Sequence, residues 1–407
     1  MDGKLEYLKL PIIIDIGSSE IKAGFSGEEK PKVLIKNYFG EPKYKKIIRT
    51  FDIKGKEKTD QYIGEDCDKF LGLIKLRYPV VHGSFQNEAD ILTIFSHIFN
   101  KLGITSQEIK EHPVLVTDPI LNPYKNREKI AHSLLDNLGV PAIFFASQPL
   151  LSLFSTSATS GTVLESGEGV TQSCVVYEGY SIPSSYERFN YGGGDVNDYL
   201  KLLLKNKGYH FYNSTEIQLI NDIKENLCYL EINKRNMNDN KQSYNIKSTP
   251  YYLPDGSNIS IGEERIIAPE MLFYPEYVGR EYLGFADMIM SSINKIDIDL
   301  KKNSYENIWL SGGNTSFKEL KEKLVDELKN KLDKGIGINV YENEKIKPQH
   351  RCWVGGNIIS ILEIFKKMWV TRNDWNEKGS EIVHIITQLY KNIKKENLQK
   401  LIKFIKI

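Results

Sequence analysis

The sequence has few cysteines, almost no net charge and no long apolar run. Its four cysteines, at 67, 174, 228 and 352, include no Cys-x-x-Cys pair. Neither a disulfide framework nor a zinc finger is therefore expected. We expect the cysteines to be reduced thiols of an intracellular protein. Lys and Arg number 54 and Asp and Glu 53, so the overall charge gives no attraction to nucleic acid. No apolar run reaches the length of a membrane span, and the charged segment 1–10 does not fit a signal peptide.

The length and the apolar content predict a folded protein with more than one core. At 407 residues, of which 41% are hydrophobic, the chain is long for a single core, and two or more domains are expected. Helical spacing of apolar residues predicts helices over 87–102, 125–138, 196–208 and 215–228. Asp195 is the predicted N-cap of the third of these helices.

The stretch 12–25, IIIDIGSSEIKAGF, has the features of a phosphate-binding hairpin. Three β-branched residues predict a buried strand that ends at Asp15, and a glycine turn leads to a second apolar segment. Successive N–H groups in such a turn can bind an anion, and a carboxylate at the strand end can hold a hydrated Mg²⁺. An ordinary hairpin is the alternative. The residues predicted to contact phosphate are Gly17, Ser18, Ser19 and Lys22.

The same pattern returns about 150 residues later in 162–172, TVLESGEGVTQ. An apolar run again ends at a carboxylate, Glu165, before a glycine turn. Two such hairpins predict a duplicated domain whose two turns close on one polyphosphate from opposite sides. Two unrelated turns are the alternative, which the glycine clusters at 192–194 and 312–313 weaken. The second turn contributes Ser166, Gly167, Glu168 and Gly169 to the predicted site.

These segments resemble the actin family. DIGSSEIKAGF and ESGEGVTQ resemble its two phosphate loops, and the resemblance continues in order through 112–129, 223–230, 253–256, 310–317 and 353–360. It covers the chain from about Pro11 to His384. The passages CYLEIN, YYLPDGS, APEMLF and FKKMWV are more similar to the centractin branch, the actin-related proteins of the dynactin filament.

The resemblance implies an α/β fold of the type shared by actin, sugar kinases and heat-shock ATPases, in which two related domains enclose a nucleotide cleft and each has a large and a small subdomain. The first domain is expected over 1–155 and 351–384, with its small subdomain at about 37–78. The second is expected over 156–350, with its small subdomain at about 192–280. A basic amphipathic extension, 385–407, follows the family pattern. It is expected either to fold back on its own domain or to bind a partner, a membrane surface or the protein's own cleft.

The resemblance also implies ATP or ADP with Mg²⁺ or Ca²⁺ as cofactors. Asp15 and Glu165 are the implied metal ligands, and Gln148, Glu165 and Gln172 are the residues implied in hydrolysis. His82 is a secondary candidate near the phosphates. Around the adenosine the resemblance implies Gly193, Lys224, Glu225, Gly312, Gly313 and Phe317.

Several positions depart from the family pattern. Glu stands at 165 and 168 where Asp is usual, Gln172 replaces a histidine that helps to place the lytic water, and Pro149 follows the water-orienting Gln148. Gly194 and Gln349 replace an arginine and a lysine, which lowers the positive charge around the nucleotide. We therefore expect nucleotide binding to persist and hydrolysis to be slow, so that the protein is a weak ATPase at most.

Two functions are compatible with this sequence. The first is a cytoskeletal, cytoplasmic actin-related protein that assembles with copies of itself or with dynactin-type subunits, and that actin-binding regulators can recognise. The second is a nuclear actin-related subunit of a chromatin-remodelling complex. The nearly insertion-free length favours the first. A sugar kinase is disfavoured because no sugar-binding insert is evident.

Overall fold

A computed structural model describes residues 9–43, 61–232, 247–362 and 368–384. The extension 385–407, most of the lysine-rich segment 42–62 and most of the polar segment 233–248 lie outside the described residues, so the predictions for them stay predictions. No helix in the described ranges is long and apolar enough to cross a membrane.

In the described ranges a run of strands comes first, and strands and helices are then interspersed. The strands are β1 Ile12–Ile16, β2 Glu20–Phe25, β3 Val33–Lys36, β4 Phe39–Pro42, β5 Tyr62–Ile63, β6 Ile74–Arg77, β7 Val80–Val81, β8 Ser84–Phe85, β9 Val114–Asp118, β10 Ala142–Ser147, β11 Gly161–Ser166, β12 Thr171–Tyr177, β13 Tyr180–Ser181, β14 Glu187–Phe189, β15 Thr249–Tyr252, β16 Asn258–Ile261, β17 Ile308–Ser311, β18 Val340–Tyr341 and β19 Val370–Thr371. The α-helices are α1 Glu88–Leu102, α2 Tyr124–His132, α3 Gln148–Phe154, α4 Gly193–Asn206, α5 Ser214–Leu227, α6 Glu264–Glu270, α7 Phe285–Asn294, α8 Ile298–Tyr305, α9 Leu320–Lys331, α10 Arg351–Ser360 and α11 Arg372–Lys378.

Two mixed sheets repeat one connection pattern. The first has the order β19-β10-β9-β1-β2-β3, and the second β13-β12-β11-β17-β18, with β14 also paired to β12. In each sheet a central strand forms an antiparallel hairpin with the next strand, β1 with β2 and β11 with β12. The same strand pairs in parallel on its other side, β1 with β9 and β11 with β17. This shared topology confirms the α/β fold of two related halves that the sequence predicts.

Helices α3 and α10 fill the space between the two sheets. Their apolar cluster contains Ile13 of the first sheet, Val163 of the second and the fully buried Trp353 of α10. A Cβ atom at Gly355 would lie 1.8 Å from the backbone oxygen of Leu151 in α3. The helices can therefore approach this closely only because position 355 has no side chain.

Smaller elements extend from each half. A three-stranded sheet of order β5-β4-β6 adjoins the first sheet, and the hairpin of β15 and β16 belongs with α4, α5 and α6 in the second half. We call these the first and second small subdomains. The domain and subdomain ranges expected from the sequence stay predictions.

The predicted helices are present with shifted ends. The first spans Glu88–Leu102 and is capped by the side chain of Asn87, which accepts a hydrogen bond from the N–H of Ala89. The predicted helix 125–138 is α2 followed by one π-helical turn, Ser133–Asn137. Asp195 as an N-cap was wrong: α4 begins at Gly193, and the Asp195 carboxylate accepts from the N–H of Gly192. This is the returning bond of a capping box, which places the acid at the third helical residue.

Candidate functional site

The turns of the two hairpins lie close together. The hydroxyl oxygen of Ser18, in the first turn, accepts from the N–H of Gly83 at 3.1 Å. The neighbouring His82 donates from Nδ1 to the backbone oxygen of Gly169, in the second turn, at 2.6 Å. His82 has a φ of +48°, a left-handed value that is uncommon for a residue with a side chain. A Cβ at position 169 would lie 3.0 Å from the Ser18 hydroxyl, so the second turn meets the first through a glycine.

In the first hairpin the carboxylate is paired with a lysine of the same hairpin. Asp15 and Lys22 are direct cross-strand partners, both almost fully buried, with 3.4 Å between Oδ2 and Nζ. The hydroxyl of Thr117, near the end of β9, donates to Asp15 Oδ1 at 2.7 Å. The Asp15 carboxylate therefore lies between a buried ammonium group and a hydroxyl donor.

In the second hairpin the corresponding carboxylate has no lysine opposite it. Glu165 pairs across the strands with Gln172, whose amide donates to Glu165 Oε2 at 3.3 Å. The Ser152 hydroxyl donates to Oε1 at 3.4 Å. Burial, and then the nearby charge of Asp15, raise the pKa of Glu165 to about 8, and these two hydrogen bonds oppose the rise.

Gln148 begins α3 at the end of β10, where the sequence predicts a strand-to-helix junction. Its amide donates to the Thr117 hydroxyl at 3.3 Å, and its oxygen accepts from the amide of Gln172 at 3.1 Å. Gln172 in turn accepts from the N–H of Ile120 at 2.9 Å. The structure thus brings the three residues implied in hydrolysis, Gln148, Glu165 and Gln172, into one hydrogen-bonded chain.

The glycine clusters at 192–194 and 312–313 lie against the backbone of the second turn. The N–H of Gly193 donates to the oxygen of Gly167 at 3.0 Å, and that of Gly194 donates to the oxygen of Glu168 at 2.9 Å. Gly312 has a φ of +85°, and its Cβ would lie 2.2 Å from the backbone oxygen of Ser166, whereas a Cβ at Gly313 would meet nothing within 4 Å. Gly193 and Gly312 therefore support the turn itself, and Gly313 faces open space.

The residues expected around adenosine are only partly brought together. Lys224 of α5 is buried and contacts Glu168 Oε2 at 3.4 Å and the oxygen of Gly193 at 3.0 Å. Glu225 is exposed and accepts from the amide of Asn221 on the same helix. Phe317 is half-buried and packs against the apolar core of the second half. Lys224 thus joins the second turn, while Glu225 does not contact it.

Sequence reasoning missed three side chains of this site. Thr117 contacts both Asp15 and Gln148, and Asn314 donates to the oxygen of Gly167 at 2.7 Å and to the Ser166 hydroxyl at 2.9 Å. Burial and the adjacent Asp15 carboxylate raise the pKa of the Cys352 thiol, so it stays protonated. Thr117 could have been identified from its position near the end of a buried strand, because open α/β sheets bind ligands at the carboxyl ends of their strands.

The carboxylates fit a metal that is held mainly by water and phosphate. In the ranges given above, no group of three or more His, Cys, Asp or Glu side chains forms a metal cage. Mg²⁺ commonly uses one or two carboxylates together with water and substrate phosphates, and Asp15 and Glu165 can supply these two.

Comparison with known proteins agrees with this architecture. The family model described as "Actin" matches residues 9–388. An "Actin-like protein" of Neurospora crassa is 37% identical over 380 residues, which cover 92% of this chain and 97% of that protein. The match spans both sheets and both hairpins. This chain therefore belongs to the actin family.

Proposed function

We propose that this protein is a cytoplasmic, cytoskeletal actin-related protein that binds ATP or ADP with Mg²⁺ or Ca²⁺ and assembles with copies of itself or with dynactin-type subunits. The observation that supports it best is the pair of opposed turns, with His82 bonded to Gly169 and Ser18 bonded to the adjacent Gly83. The bound metal nucleotide would supply the charged polyphosphate on which both turns close. Membership of the actin family supports self-association. The closer similarity to centractin stays a prediction from four short passages.

Slow hydrolysis is part of the proposal, and the contacts of Gln148 support it. A glutamine that orients an attacking water needs a free amide or carbonyl directed at that water. Here the Gln148 oxygen already accepts from Gln172, and its amide is near Thr117. A water would have to displace one of these bonds, which adds to the barrier.

Nucleotide retention and turnover test the proposal directly. Protein passed through gel filtration with Mg²⁺ and ATP should retain about one nucleotide per chain, and its single-turnover hydrolysis should be slower than that of conventional actin under matched conditions. Protein that emerges free of nucleotide would contradict binding, and turnover as fast as actin's would contradict the slow step.

Sedimentation with ATP, with and without Mg²⁺, tests assembly. A pelleting fraction that grows with protein concentration is expected of a filament former. A protein that stays monomeric under all these conditions would favour the alternative, a nuclear subunit held by a partner in a chromatin-remodelling complex.

A further inference from the structure

The described ranges end at His384, which lies against the first turns of α2. Its Nε2 is 2.9 Å from Glu128 Oε1, and its ring meets that of Tyr124, with centroids 4.6 Å apart. Tyr124 and Glu128 are one helical turn apart on one face of α2. The two residues before His384 are buried in the core of the first half. The extension 385–407 therefore starts from a fixed point beside the N-terminal end of α2.

Apolar side chains are exposed at the same end of α2. Leu121 and Tyr124 are each 62% exposed, and Pro123 between them is exposed as well. We call these three residues the α2 patch. Single exposed apolar residues need no explanation, but three within four positions are a candidate contact surface.

The backbone holds Leu121 outward in a strained conformation. Its φ is +51°, a left-handed value that is a genuine outlier for a bulky side chain. Both neighbours are fixed in place. The N–H of Ile120 donates to Gln172 Oε1 at 2.9 Å, and the amide of the buried Asn122 donates to Asp118 Oδ1 at 2.8 Å. Strain of this kind persists only where the surroundings enforce it, and here it keeps a leucine at the surface.

The first part of the extension has a matching apolar stripe. Its members follow helical spacing and are Ile386, Leu389, Tyr390 and Ile393. On such a helix Lys391 and Lys395 fall on the opposite side. A helix over 385–393 is about 13 Å long, and alone in water it is too short to be stable, so it needs a surface to pack on. Because no linker separates it from His384, it meets the α2 patch at an effective concentration in the millimolar range.

We propose that the extension folds back onto the first half of its own chain, with the stripe 386–393 packed on the α2 patch. The basic side of the helix then faces solvent. A partner, a membrane or a second copy of the chain can contact the stripe only after it has left the patch. This inference does not depend on the proposed nucleotide site.

The first experiment measures trypsin cleavage at Lys391, Lys394 and Lys395 in the full chain. Cleavage follows the population of the undocked segment, which is unfolded. Leu121→Asn should keep its fold, because asparagine tolerates the left-handed conformation. It should speed cleavage about tenfold, as expected when docking no longer covers a leucine. Ile298→Ser is the matched control: Ile298 is 81% exposed on α8 in the second half, and its loss should leave cleavage unchanged. Equal rates in the wild type and Leu121→Asn, or an equal effect in the control, would overturn the proposal.

The second experiment identifies what covers the patch. Leu389→Ser should speed cleavage as much as Leu121→Asn, and the double variant should be no faster than the faster single variant, because both remove one contact. Protection of the wild type should be independent of protein concentration, since docking takes place within one chain. Protection that grows with concentration would assign the stripe to a second copy, and additive effects would assign it to another surface. Either result would refute folding back onto the α2 patch.

Discussion

The two hairpins occupy equivalent places in their sheets but differ in the residue opposite the carboxylate. Asp15 faces Lys22 across the first hairpin, and Glu165 faces Gln172 across the second. Lys22 lies 3.4 Å from its carboxylate as a buried cation, whereas Gln172 offers Glu165 a neutral amide at 3.3 Å. In the second half the lysine is Lys224 of α5, and it contacts Glu168 in the turn of the hairpin and not Glu165 at the end of the strand.

Because of this difference, the two carboxylates have different electrostatic surroundings although the two hairpins follow one sequence pattern. Asp15 has an opposite charge beside it in its own hairpin. Glu165 lacks that compensation, and its raised pKa means that a cation must help to ionise it.

Removing the compensated carboxylate should have the largest effect. Asp15→Ala leaves Lys22 buried without its nearest anion, and breaking a buried ion pair in this way costs about 3–5 kcal/mol of stability. Binding of metal nucleotide should fall sharply as well. Chemical denaturation and nucleotide titration measure the two effects. Glu20→Gln is the control, because that carboxylate is partly exposed and 3.9 Å from Lys22. An unchanged nucleotide affinity in Asp15→Ala would show that the metal lies elsewhere.

The second turn should depend on a glycine more than on a charge. Gly312→Ala introduces a Cβ 2.2 Å from the backbone of Ser166 at a left-handed φ, so we expect a loss of about 2–3 kcal/mol from overpacking and strain. Gly313→Ala, next to it in the chain, meets open space and should change stability little. Denaturant midpoints of the two variants test this. Equal losses would mean that the turn is not held at Gly312.

The sequence predicted most of the fold because the relevant patterns are local. The β-branched run at 12–14, the glycine turns and the apolar spacing of α1 and α5 each identify an element, and their repetition predicts two related halves. The helix ends were less predictable. Asp195 fits an N-cap by residue type, but backbone bonds from Gly193 and Gly194 to the second turn begin the helix earlier.

The candidate site was predicted in its residue types but not in its contacts. Sequence can place Gln172 at a position where a histidine is usual, yet only the strand register makes it the partner of both Glu165 and Gln148. Thr117 escaped notice because its role depends on pairing with a strand a hundred residues away. Contacts that depend on tertiary register cannot be derived from spacing alone.

Neutralising Glu165 should stabilise the ligand-free protein in a pH-dependent manner. With its pKa raised to about 8, Glu165 keeps its proton in the folded protein up to about pH 8, while the unfolded chain releases it near the ordinary carboxyl pKa of 4.5. Wild-type stability therefore falls as pH rises through this interval. Glu165→Gln removes that loss. We expect a gain of about 1–2 kcal/mol at pH 8.5, limited because Glu165 is only partly buried, and none at pH 4. Denaturation of metal-free protein across this range measures it, and metal-nucleotide affinity should fall. A gain that is independent of pH would contradict the assignment.

The smallest effect is expected at Glu168, and it isolates the influence of burial on ion pairs. The Glu168–Lys224 and Asp15–Lys22 pairs have the same separation of 3.4 Å, but the Glu168 side chain is 29% exposed and that of Asp15 is 6% exposed. Water therefore screens the Glu168–Lys224 pair more than the other. Lys224 also keeps the oxygen of Gly193 as an acceptor when the Glu168 carboxylate is lost. Glu168→Gln should cost less than about 1 kcal/mol. A double-mutant cycle with Lys224→Met, run beside one with Asp15→Asn and Lys22→Met, measures both coupling energies. Equal couplings would show that distance, and not exposure to water, sets the strength of these pairs.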